Sequence, residues 1–465
     1  MKSFALSIAA LAIAVLVARP SAGAPAEMLT DPTFGKIAIY APDAEPKSVV
    51  LFISGDGGWN QGVVSMAERL RDEGALVVGI DIRSFLRGLA WSEYCSYPAG
   101  DLEELSRNVQ LHRKLPTYQR PILVGYSSGA TLAYAAIASA PQETFAGAIS
   151  LGFCPDILTR PPLCEMRGLK LRKRRDALGY DVQTFAGLKV PWMVLQGDID
   201  QVCNPEGTRT FVATTGSARL FWLPKVGHGF GVPRNWEPQF LEAYRAVVNS
   251  VRPDAPVRTS IPETGDLSLV EVPAQGSAPR DDMAVIVTGD GGWAEIDKSV
   301  GNALAAAGVA TIGWSSLRYF WTPRTPEQAA ADLARIIAHY TDLWHKPRVT
   351  LIGYSFGADV LPFLVNRLPA DALRRVEKVA LLGLSPTATF EFHVAEWLGR
   401  AKATEYHTVP EVERLTMPVL CMRGSDERDS ACSSLKGSHI VVATIGDGHH
   451  FGGDYRRVAE AILQR

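Results

Sequence analysis

The chain has 465 residues, of which 47% are hydrophobic and 21% charged, a composition typical of a folded globular protein. Its 47 basic and 49 acidic side chains nearly balance, so there is no excess of positive charge for binding a nucleic-acid backbone. The six cysteines form no CxxC pair and the sequence has no HExxH motif, so nothing in it indicates a metal site. We therefore expect no nucleic-acid partner, no metal and no cofactor.

The N-terminus has the pattern of a secretory signal peptide. Lys2 precedes an apolar run over residues 4–18, which is shorter than the ~20 residues that a membrane-spanning helix needs. Small residues at 22–26 then provide a cleavage site. We expect residues 1–26 to be removed on export; an uncleaved membrane anchor is the alternative.

Export would allow the cysteines to form disulfide bonds. Cys421 and Cys432 flank one short loop and are expected to pair. Sequence proximity favours joining the two cysteines of a second loop, which leaves the last two to each other: Cys154–Cys164 and Cys95–Cys203. Spacing alone nevertheless leaves all three pairings of these four cysteines open.

Three motifs occur twice, in the same order. They are Gly-Asp-Gly-Gly-Trp at 55–59 and 289–293, Gly-Tyr-Ser-x-Gly at 125–129 and 353–357, and Gly-His-x-Phe at 227–230 and 448–451. Such a repeat indicates two homologous domains. We place them at residues 27–252 and 266–465, joined by a proline-containing linker at 253–265.

In each half, apolar runs that lead to glycine alternate with alanine-rich stretches. The runs are typical of strands buried on both faces of a parallel sheet, and they lie at 49–53, 122–125, 192–196, 283–287, 349–353 and 418–422. Helical stretches at 129–138 and 357–366 follow the second run of each half. Strands that alternate with helices predict two tandem α/β domains, each a mostly parallel sheet with helices on both faces.

The Gly-x-Ser-x-Gly motif lies between a strand and a helix in both halves, which is the context of a nucleophile elbow. The glycines permit a sharp turn in which Cβ atoms would collide, and the serine takes a strained conformation. A purely structural glycine turn is the alternative. Because the context occurs twice, we expect α/β-hydrolase-like domains with Ser127 and Ser355 as nucleophiles.

In such domains an acid and then a histidine follow the serine along the chain. In the first half, Asp200 lies just beyond a strand and His228 comes later. The imidazole would take the serine proton, and the acid would hold the ring in the correct tautomer. Ser127, Asp200 and His228 are therefore expected to form one triad.

The second half offers several acids for the corresponding triad. His449 is the expected base, because it aligns with the first histidine when the phenylalanines that follow are superposed. Aligning the acid loops on their glycines selects Glu427, whereas aligning them on their cysteines selects Asp429. We prefer Asp429, since a disulfide bond would fix that end of the loop, with Asp426 as the next choice.

The repeated Gly-Asp-Gly-Gly-Trp loop follows the strand where hydrolases of this kind place one oxyanion-binding amide. We expect the amides of Gly57 and Ser128 to stabilise the oxyanion in the first site, and those of Gly291 and Phe356 to do so in the second. A phosphate-binding glycine loop is less favoured, because neither copy has the Lys-Ser/Thr pair of a P-loop. Asp290 and Asp359 are candidate carboxylates for a cationic substrate or for a structural arginine.

The second half resembles the VirJ/AcvB family of bacterial virulence proteins. The likeness rests on Gly-Tyr-Ser-Phe-Gly-Ala-Asp-Val-Leu-Pro at 353–362, on the glycine loop before it and on Gly-His-His-Phe-Gly-Gly-Asp-Tyr at 448–455. The two-domain length is similar to that of AcvB members. The resemblance implies a periplasmic serine hydrolase with Ser355 as the nucleophile and His449 as the base.

The resemblance further implies a substrate: the aminoacyl ester of lysyl-phosphatidylglycerol, cleaved at the periplasmic membrane surface to lysine and phosphatidylglycerol. Asp359 would suit the ammonium groups of such a substrate. Family members are also associated with type IV secretion components. A non-catalytic accessory factor for secretion, or a serine esterase for another substrate, are therefore the alternatives.

Overall fold

The computed structural model describes residues 27–89, 95–141, 144–160, 162–175, 178–250, 264, 267–275, 280–293, 295–390 and 406–464. The expected signal peptide, residues 1–26, lies outside the described residues, as does nearly all of the expected linker at 253–265. Among the described helices, none combines the length and apolar character needed to cross a bilayer.

The described part of the first half contains one large sheet and one small one. Its strands are β1 (Glu27–Asp31), β2 (Gly35–Tyr40), β3 (Ser48–Ile53), β4 (Ala75–Ile80), β5 (Ile122–Tyr126), β6 (Gly147–Leu151), β7 (Asp156–Ile157), β8 (Leu171–Lys173), β9 (Tyr180–Val182), β10 (Trp192–Gly197) and β11 (Ala218–Leu223). The large sheet has the order β1-β2-β4-β3-β5-β6-β10-β11, and β7, β9 and β8 form the small one. In the large sheet, β2 is antiparallel to β1 and β4, and the other neighbours are parallel.

Helices cover both faces of this sheet. They are α1 (Gln61–Asp72), α2 (Ile82–Leu89), α3 (Pro98–His112), α4 (Ser128–Ser139), α5 (Pro205–Ala213) and α6 (Glu237–Ser250). One apolar layer packs α2, α3, α4 and α5 against the sheet, and the other packs α1 and α6. Every residue of β3 and β10 is buried, as expected for strands covered on both sides.

The second half repeats this architecture. Its strands are β12 (Leu269–Val272), β13 (Asp282–Val287), β14 (Ala310–Trp314), β15 (Arg348–Tyr354), β16 (Val376–Leu382), β17 (Thr387–Ala388), β18 (Tyr406–His407), β19 (Val419–Arg423) and β20 (Ile440–Thr444). In the described residues the main sheet has the order β12-β14-β13-β15-β16-β19-β20, with β12 antiparallel to β14 and the rest parallel. β17 and β18 pair separately.

The helices of the second half also form two layers. They are α7 (Glu295–Ala306), α8 (Ser316–Tyr319), α9 (Pro326–Leu343), α10 (Phe356–Val365), α11 (Ala370–Leu373), α12 (Thr408–Glu413) and α13 (Tyr455–Leu463). α9 and α10 pack on one face of the sheet, and α7 and α13 on the other. The expected fold class, two tandem α/β domains with mostly parallel sheets, is confirmed.

Three disulfide bonds join the six cysteines: Cys95–Cys164, Cys154–Cys203 and Cys421–Cys432. The expected pair Cys421–Cys432 is confirmed, but the pairing of Cys154 with Cys164 is wrong. Cys154 follows β6 and Cys203 follows β10, and these two strands are parallel neighbours in the sheet. Their carboxyl ends therefore meet, although the two cysteines are 49 residues apart in sequence.

The two halves contact each other through the end of α3 and the segment after α8. The Trp321 indole nitrogen donates a hydrogen bond to the Leu115 carbonyl oxygen at 2.8 Å. The Tyr118 ring lies 5.5 Å from the Trp321 ring, centroid to centroid. Trp321 is 7% exposed, so this contact buries a large aromatic side chain between the domains.

Candidate active site

Both serines of the repeated motif occupy sharp turns at the carboxyl end of a central strand. Ser127 connects β5 to α4 with φ 54° and ψ −122°. Ser355 connects β15 to α10 with φ 51° and ψ −119°. A positive φ is rare for a residue with a side chain and stores strain at functional sites. The two serines thus share the conformation that a nucleophile elbow requires.

The flanking glycines are required by close backbone packing. A Cβ atom on Gly125 would lie 2.1 Å from the Gly129 carbonyl oxygen, and one on Gly129 would lie 2.3 Å from the Ile53 carbonyl oxygen. In the second domain, a Cβ on Gly357 would lie 2.0 Å from the Val287 carbonyl oxygen. These distances explain why the motif has glycine at both ends and why it occurs where helix and strand nearly touch.

In the first domain the predicted triad is hydrogen-bonded throughout. His228 Nε2 lies 3.0 Å from Ser127 Oγ, and His228 Nδ1 lies 2.9 Å from Asp200 Oδ2. Asp200 Oδ1 also accepts the amides of Val202 at 2.8 Å and Cys203 at 2.9 Å. Burial would raise the pKa of Asp200, but the hydrogen bonds from His228 and these amides outweigh it and hold that pKa below its ordinary value. Asp200 is therefore a buried, ionised partner for the imidazole.

In the second domain the acid differs from the one expected. His449 Nδ1 lies 2.5 Å from Glu427 Oε1, and Glu427 Oε2 accepts the Gly424 amide at 2.7 Å. Asp429 is exposed, and Asp426 accepts the amide of Gly448 instead of the imidazole. The expected acid, Asp429, is therefore wrong: Glu427 is the acid that contacts His449.

The correction has a structural reason in the disulfide bonds. Cys203 bonds to the loop after β6, whereas Cys432 bonds to Cys421 inside β19. The cysteines are therefore not equivalent, and aligning the loops on them shifted the acid by two residues. Aligning the loops on Gly197 and Gly424 gives the observed partner.

The two sites differ in how completely the hydrogen-bond chain is formed. Within the described residues, the Ser355 hydroxyl makes no hydrogen bond to His449, unlike the Ser127 hydroxyl and His228. The His449 side chain is 41% exposed and that of His228 only 16%. Catalytic hydrogen bonds often close only when substrate excludes water.

Sequence reasoning missed the residues that hold each imidazole in place. The Tyr126 ring lies 5.5 Å from the His228 ring, centroid to centroid, and the Tyr354 ring lies 5.3 Å from the His449 ring; both pairs are tilted. The Tyr126 hydroxyl donates to the His228 carbonyl oxygen at 2.9 Å. The repeated tyrosine of Gly-Tyr-Ser-x-Gly was the available signal. It places an aromatic ring directly before each nucleophile.

The sequence analysis also did not identify two glycines that lie against the imidazole rings, Gly152 and Gly383. Gly152 and Gly383 follow β6 and β16 and have positive φ angles of 58° and 68°. A Cβ on Gly383 would lie 2.5 Å from His449 Cε1, and one on Gly152 would lie 3.2 Å from His228 Cε1. A Cβ atom would overlap the ring at Gly383 and crowd it at Gly152, and the positive φ angles also favour glycine at both positions.

The glycine-rich loops lie against the nucleophiles through their first glycine. A Cβ on Gly55 would lie 2.9 Å from Ser127 Cβ, and one on Gly289 would lie 3.6 Å from Ser355 Cβ. The amide of Gly58 closes the first loop on Gly55, and that of Gly292 closes the second on Gly289.

The predicted oxyanion donors occupy two kinds of position. Gly57 and Gly291 lie two residues beyond the contact with the serine, inside the turn. Ser128 and Phe356 begin α4 and α10, where first-turn amides have no acceptor in a preceding helical turn. The donor roles of these four residues remain predictions.

The predicted substrate carboxylate Asp359 makes a backbone contact. Its Oδ1 accepts the Ser385 amide at 2.7 Å, and burial raises its pKa to about 7. At the equivalent position of the first domain, Thr131 Oγ1 donates to the Cys154 carbonyl oxygen at 2.5 Å. Both side chains thus tie the helix after the serine to the loop after the next strand. Asp359 differs in carrying an ionisable group there.

The second predicted substrate carboxylate, Asp290, has a partner in the other domain. Arg107 Nη1 on α3 lies 2.5 Å from Asp290 Oδ2. This ion pair takes up one oxygen of Asp290. The structure therefore favours the arginine-partner alternative for this residue.

One group of described residues has the composition of a metal site: Asp200, Cys203 and His228. The Cys203 sulfur belongs to a disulfide bond, so it is not a thiolate ligand. Asp200 and His228 bind each other as members of the triad. The geometry of this group is accounted for by the triad and its neighbouring disulfide.

Comparison with solved structures finds similarity over about half of this chain. An α/β serine hydrolase homologue from Coxiella burnetii is 21% identical with a TM-score of 0.32, and covers 50% of this chain and 100% of its own. The α/β serine hydrolase XC6422 from Xanthomonas campestris is 22% identical with a TM-score of 0.31, and covers 49% of this chain and 92% of its own. A putative dienelactone hydrolase from Klebsiella pneumoniae is 15% identical with a TM-score of 0.34, and covers 48% of this chain and 96% of its own.

Sequence comparison gives a family. No curated protein matches the chain significantly. The profile of the family described as bacterial virulence protein (VirJ) matches residues 47–150 and 281–465, which is more than half of the chain. The second match includes Ser355, Glu427 and His449. The chain therefore belongs to the VirJ family of bacterial virulence proteins.

Proposed function

We propose that this protein is a periplasmic serine hydrolase that cleaves the aminoacyl ester of lysyl-phosphatidylglycerol, releasing lysine and phosphatidylglycerol. The observation that carries the hydrolase proposal is the continuous hydrogen-bond chain Ser127–His228–Asp200. In the second domain His449 contacts Glu427, and Ser355 has the same turn conformation as Ser127. The lipid substrate is supported by membership of the VirJ family. Three disulfide bonds support an exported location.

The reaction follows from the positions of these groups. The imidazole takes the serine proton as the hydroxyl oxygen attacks the lysyl carbonyl carbon, and the acid stabilises the imidazolium that forms. The carbonyl oxygen becomes an oxyanion beside the amides at the start of the following helix. The imidazolium then protonates the glycerol oxygen of phosphatidylglycerol, which leaves. Water attacks the lysyl-serine ester by the same steps and releases lysine.

We assign cleavage of the lipid to the Ser355 site, because the family match includes all three of its triad residues. Asp359 lies one helical turn after Ser355, on the helix that the nucleophile begins. With a pKa of about 7, its carboxyl group is partly ionised at neutral pH, and a substrate ammonium group would favour the ionised form. The Ser127 site is a second nucleophile centre of the same chemistry.

Separate substitution of the two serines tests the proposal. Purified Ser127→Ala, Ser355→Ala and the double variant are incubated with vesicles containing lysyl-phosphatidylglycerol, and free lysine is measured. Ser65→Ala, an exposed serine on α1, is the matched control. We expect Ser355→Ala to lose turnover by a factor of about 10³ or more, because removing a triad nucleophile leaves only the oxyanion donors and binding.

The alternatives give different results. Retained lysine release in Ser355→Ala but not in Ser127→Ala would move the activity to the first domain. Retained release in the double variant would reject serine catalysis. A non-catalytic accessory role in secretion predicts that the double variant still supports secretion in cells, without lysine release by the wild-type protein.

A further inference from the structure

Among the described residues, Arg107 of the first domain contacts the glycine loop of the second site, and it is largely buried. Arg107 on α3 pairs with Asp290 at 2.5 Å, and the arginine side chain is 15% exposed. Glu103 lies one helical turn earlier on the same helix, near both groups, and burial raises its pKa to about 7. The ion pair is accompanied by the hydrogen bond and ring contact of Trp321 described above. It is therefore part of a packed interface and not an isolated surface contact.

Asp290 is the second residue of the loop that lies against the nucleophile. Gly289, immediately before it, faces Ser355, and the amide of Gly292 closes the turn on Gly289. Three glycines in a five-residue loop give it many accessible conformations, so the chain alone fixes it poorly. An oxyanion donor stabilises the transition state only if it is held in position beforehand.

In the first domain the corresponding glycine loop is covered by an arginine of the same domain, Arg83. Arg83 covers the loop closely enough that a Cβ on Gly58 would lie 2.1 Å from its guanidinium carbon, and Arg83 pairs with Asp81 at 2.6 Å. The guanidinium group thus comes from the segment after β4 of the same domain.

The second domain lacks this pair at the equivalent positions. Ser54 Oγ accepts the amide of Ile82, and Thr288 Oγ1 accepts that of Ser316, which makes Ile82 and Ser316 equivalent. Asp81 and Arg83 flank Ile82, and the residues that flank Ser316 are Ser315 and Leu317. Ser315 therefore corresponds to Asp81, and Leu317 to Arg83. A guanidinium group reaches the second loop from the other domain instead.

We infer that Arg107 is a positioning residue for the Ser355 site, supplied by the N-terminal domain. It holds the glycine loop against the nucleophile, and it neutralises the Asp290 carboxylate. An uncompensated carboxylate in that loop would oppose the negative charge that develops on the oxyanion. The first domain is thereby a functional part of the second site, whatever its own triad does. The inference rests on Ser355 being a reactive nucleophile but not on the identity of the lipid.

The test uses the full-length protein and an alkyl fluorophosphonate, which reacts with activated serines irrespective of the natural substrate. Mass spectrometry gives the labelling rate at Ser355 and Ser127 separately. We expect Arg107→Gln to slow labelling of Ser355 by about 10-fold or more, since loss of one oxyanion donor costs 10²–10³. Labelling of Ser127 should change less than about twofold, because that site has its own loop arginine.

Two further variants separate positioning from general destabilisation. Arg113→Gln removes an arginine from the end of the same helix, where it pairs with Glu27, and should leave Ser355 unaffected. Adding Asp290→Asn to Arg107→Gln removes the uncompensated carboxylate and should restore part of the lost rate. Arg107→Lys should retain more activity than Arg107→Gln, because it keeps the charge.

Hydrogen exchange gives a readout that does not depend on reactivity. Amides of residues 289–293 should exchange faster in Arg107→Gln than in the wild type, while those of 55–59 stay unchanged. Unchanged exchange at 289–293, unchanged labelling of Ser355, or equal losses at both serines would overturn the inference. Absence of Ser355 labelling in the wild type would instead contradict the proposed function, and the exchange measurement would still decide the role of Arg107.

Discussion

His449 Nδ1 lies 2.5 Å from Glu427 Oε1, whereas the corresponding ring nitrogen of His228 lies 2.9 Å from an aspartate, Asp200. The glutamate has one more methylene group than the aspartate and reaches its imidazole from the same loop position. Each acid also accepts a backbone amide of its own loop, from Gly424 and from Cys203 respectively. The two domains thus place different acids against the same ring nitrogen, Nδ1, of the histidine.

Substitution of the acids should separate Glu427 from its neighbours. Glu427→Gln keeps the size of the side chain but favours the wrong imidazole tautomer, so we expect kcat at the Ser355 site to fall by about 10³-fold or more. Asp429→Asn is the matched control and should change kcat less than about twofold, because its carboxylate is exposed. A larger loss in Asp429→Asn than in Glu427→Gln would return the catalytic role to Asp429.

Asp359→Asn should change substrate preference. The amide oxygen can still accept the Ser385 amide, so the loop contact is kept while the charge is lost. We expect the preference for lysyl- over alanyl-phosphatidylglycerol to fall by about 5-fold or more, as one charge-assisted contact is removed. The measurement is the ratio of kcat/KM for the two lipids. An unchanged ratio would show that Asp359 does not bind the lysine side-chain ammonium.

The same substitution should change how stability depends on pH. The folded-state pKa of Asp359, about 7, lies above the unfolded value, so the folded state retains a proton that the unfolded chain loses. The stabilisation is complete below the unfolded pKa of about 4 and is lost as pH rises through 7. We expect Asp359→Asn to melt about 3 °C or more above wild type at pH 8, with little difference near pH 4. Asp371→Asn, an exposed acid of the same domain, is the control, and identical pH profiles for Asp359→Asn and the wild type would contradict the prediction.

The Cys154–Cys203 disulfide should matter for the first site only. It joins the loop after β6 to the loop whose Cys203 amide binds Asp200. Replacing both cysteines with serine should lower the free energy of unfolding by about 2–4 kcal/mol and slow fluorophosphonate labelling of Ser127. Labelling of Ser355 should stay unchanged, because its acid loop is held by Cys421–Cys432. Equal losses at the two serines would show that the disulfide acts on global stability alone.

The local pattern of the sequence was sufficient for the fold class and for the sharp turns at Ser127 and Ser355. Buried strands, glycine turns and the helices after them are encoded within a few residues, and the elbow geometry of Ser127 and Ser355 follows from glycines two positions away. The repeat of the motifs indicated two domains. The positions of Asp200 and His228 also followed, since the order of triad residues along such a chain is fixed by the order of the strands.

The tertiary structure decided what depends on distant segments meeting. Glu427, and not Asp429, contacts His449. The two acid loops have disulfide partners in different places, so an alignment on their cysteines selects the wrong acid. Cys154 pairs with Cys203 because β6 and β10 are neighbours in the sheet. The ion pair between Arg107 and Asp290 joins residues 183 positions apart, and no local pattern marks it. The physical reason is the same in each case: short-range patterns determine the conformation of a segment, but the partner of a side chain is determined by how the segments pack.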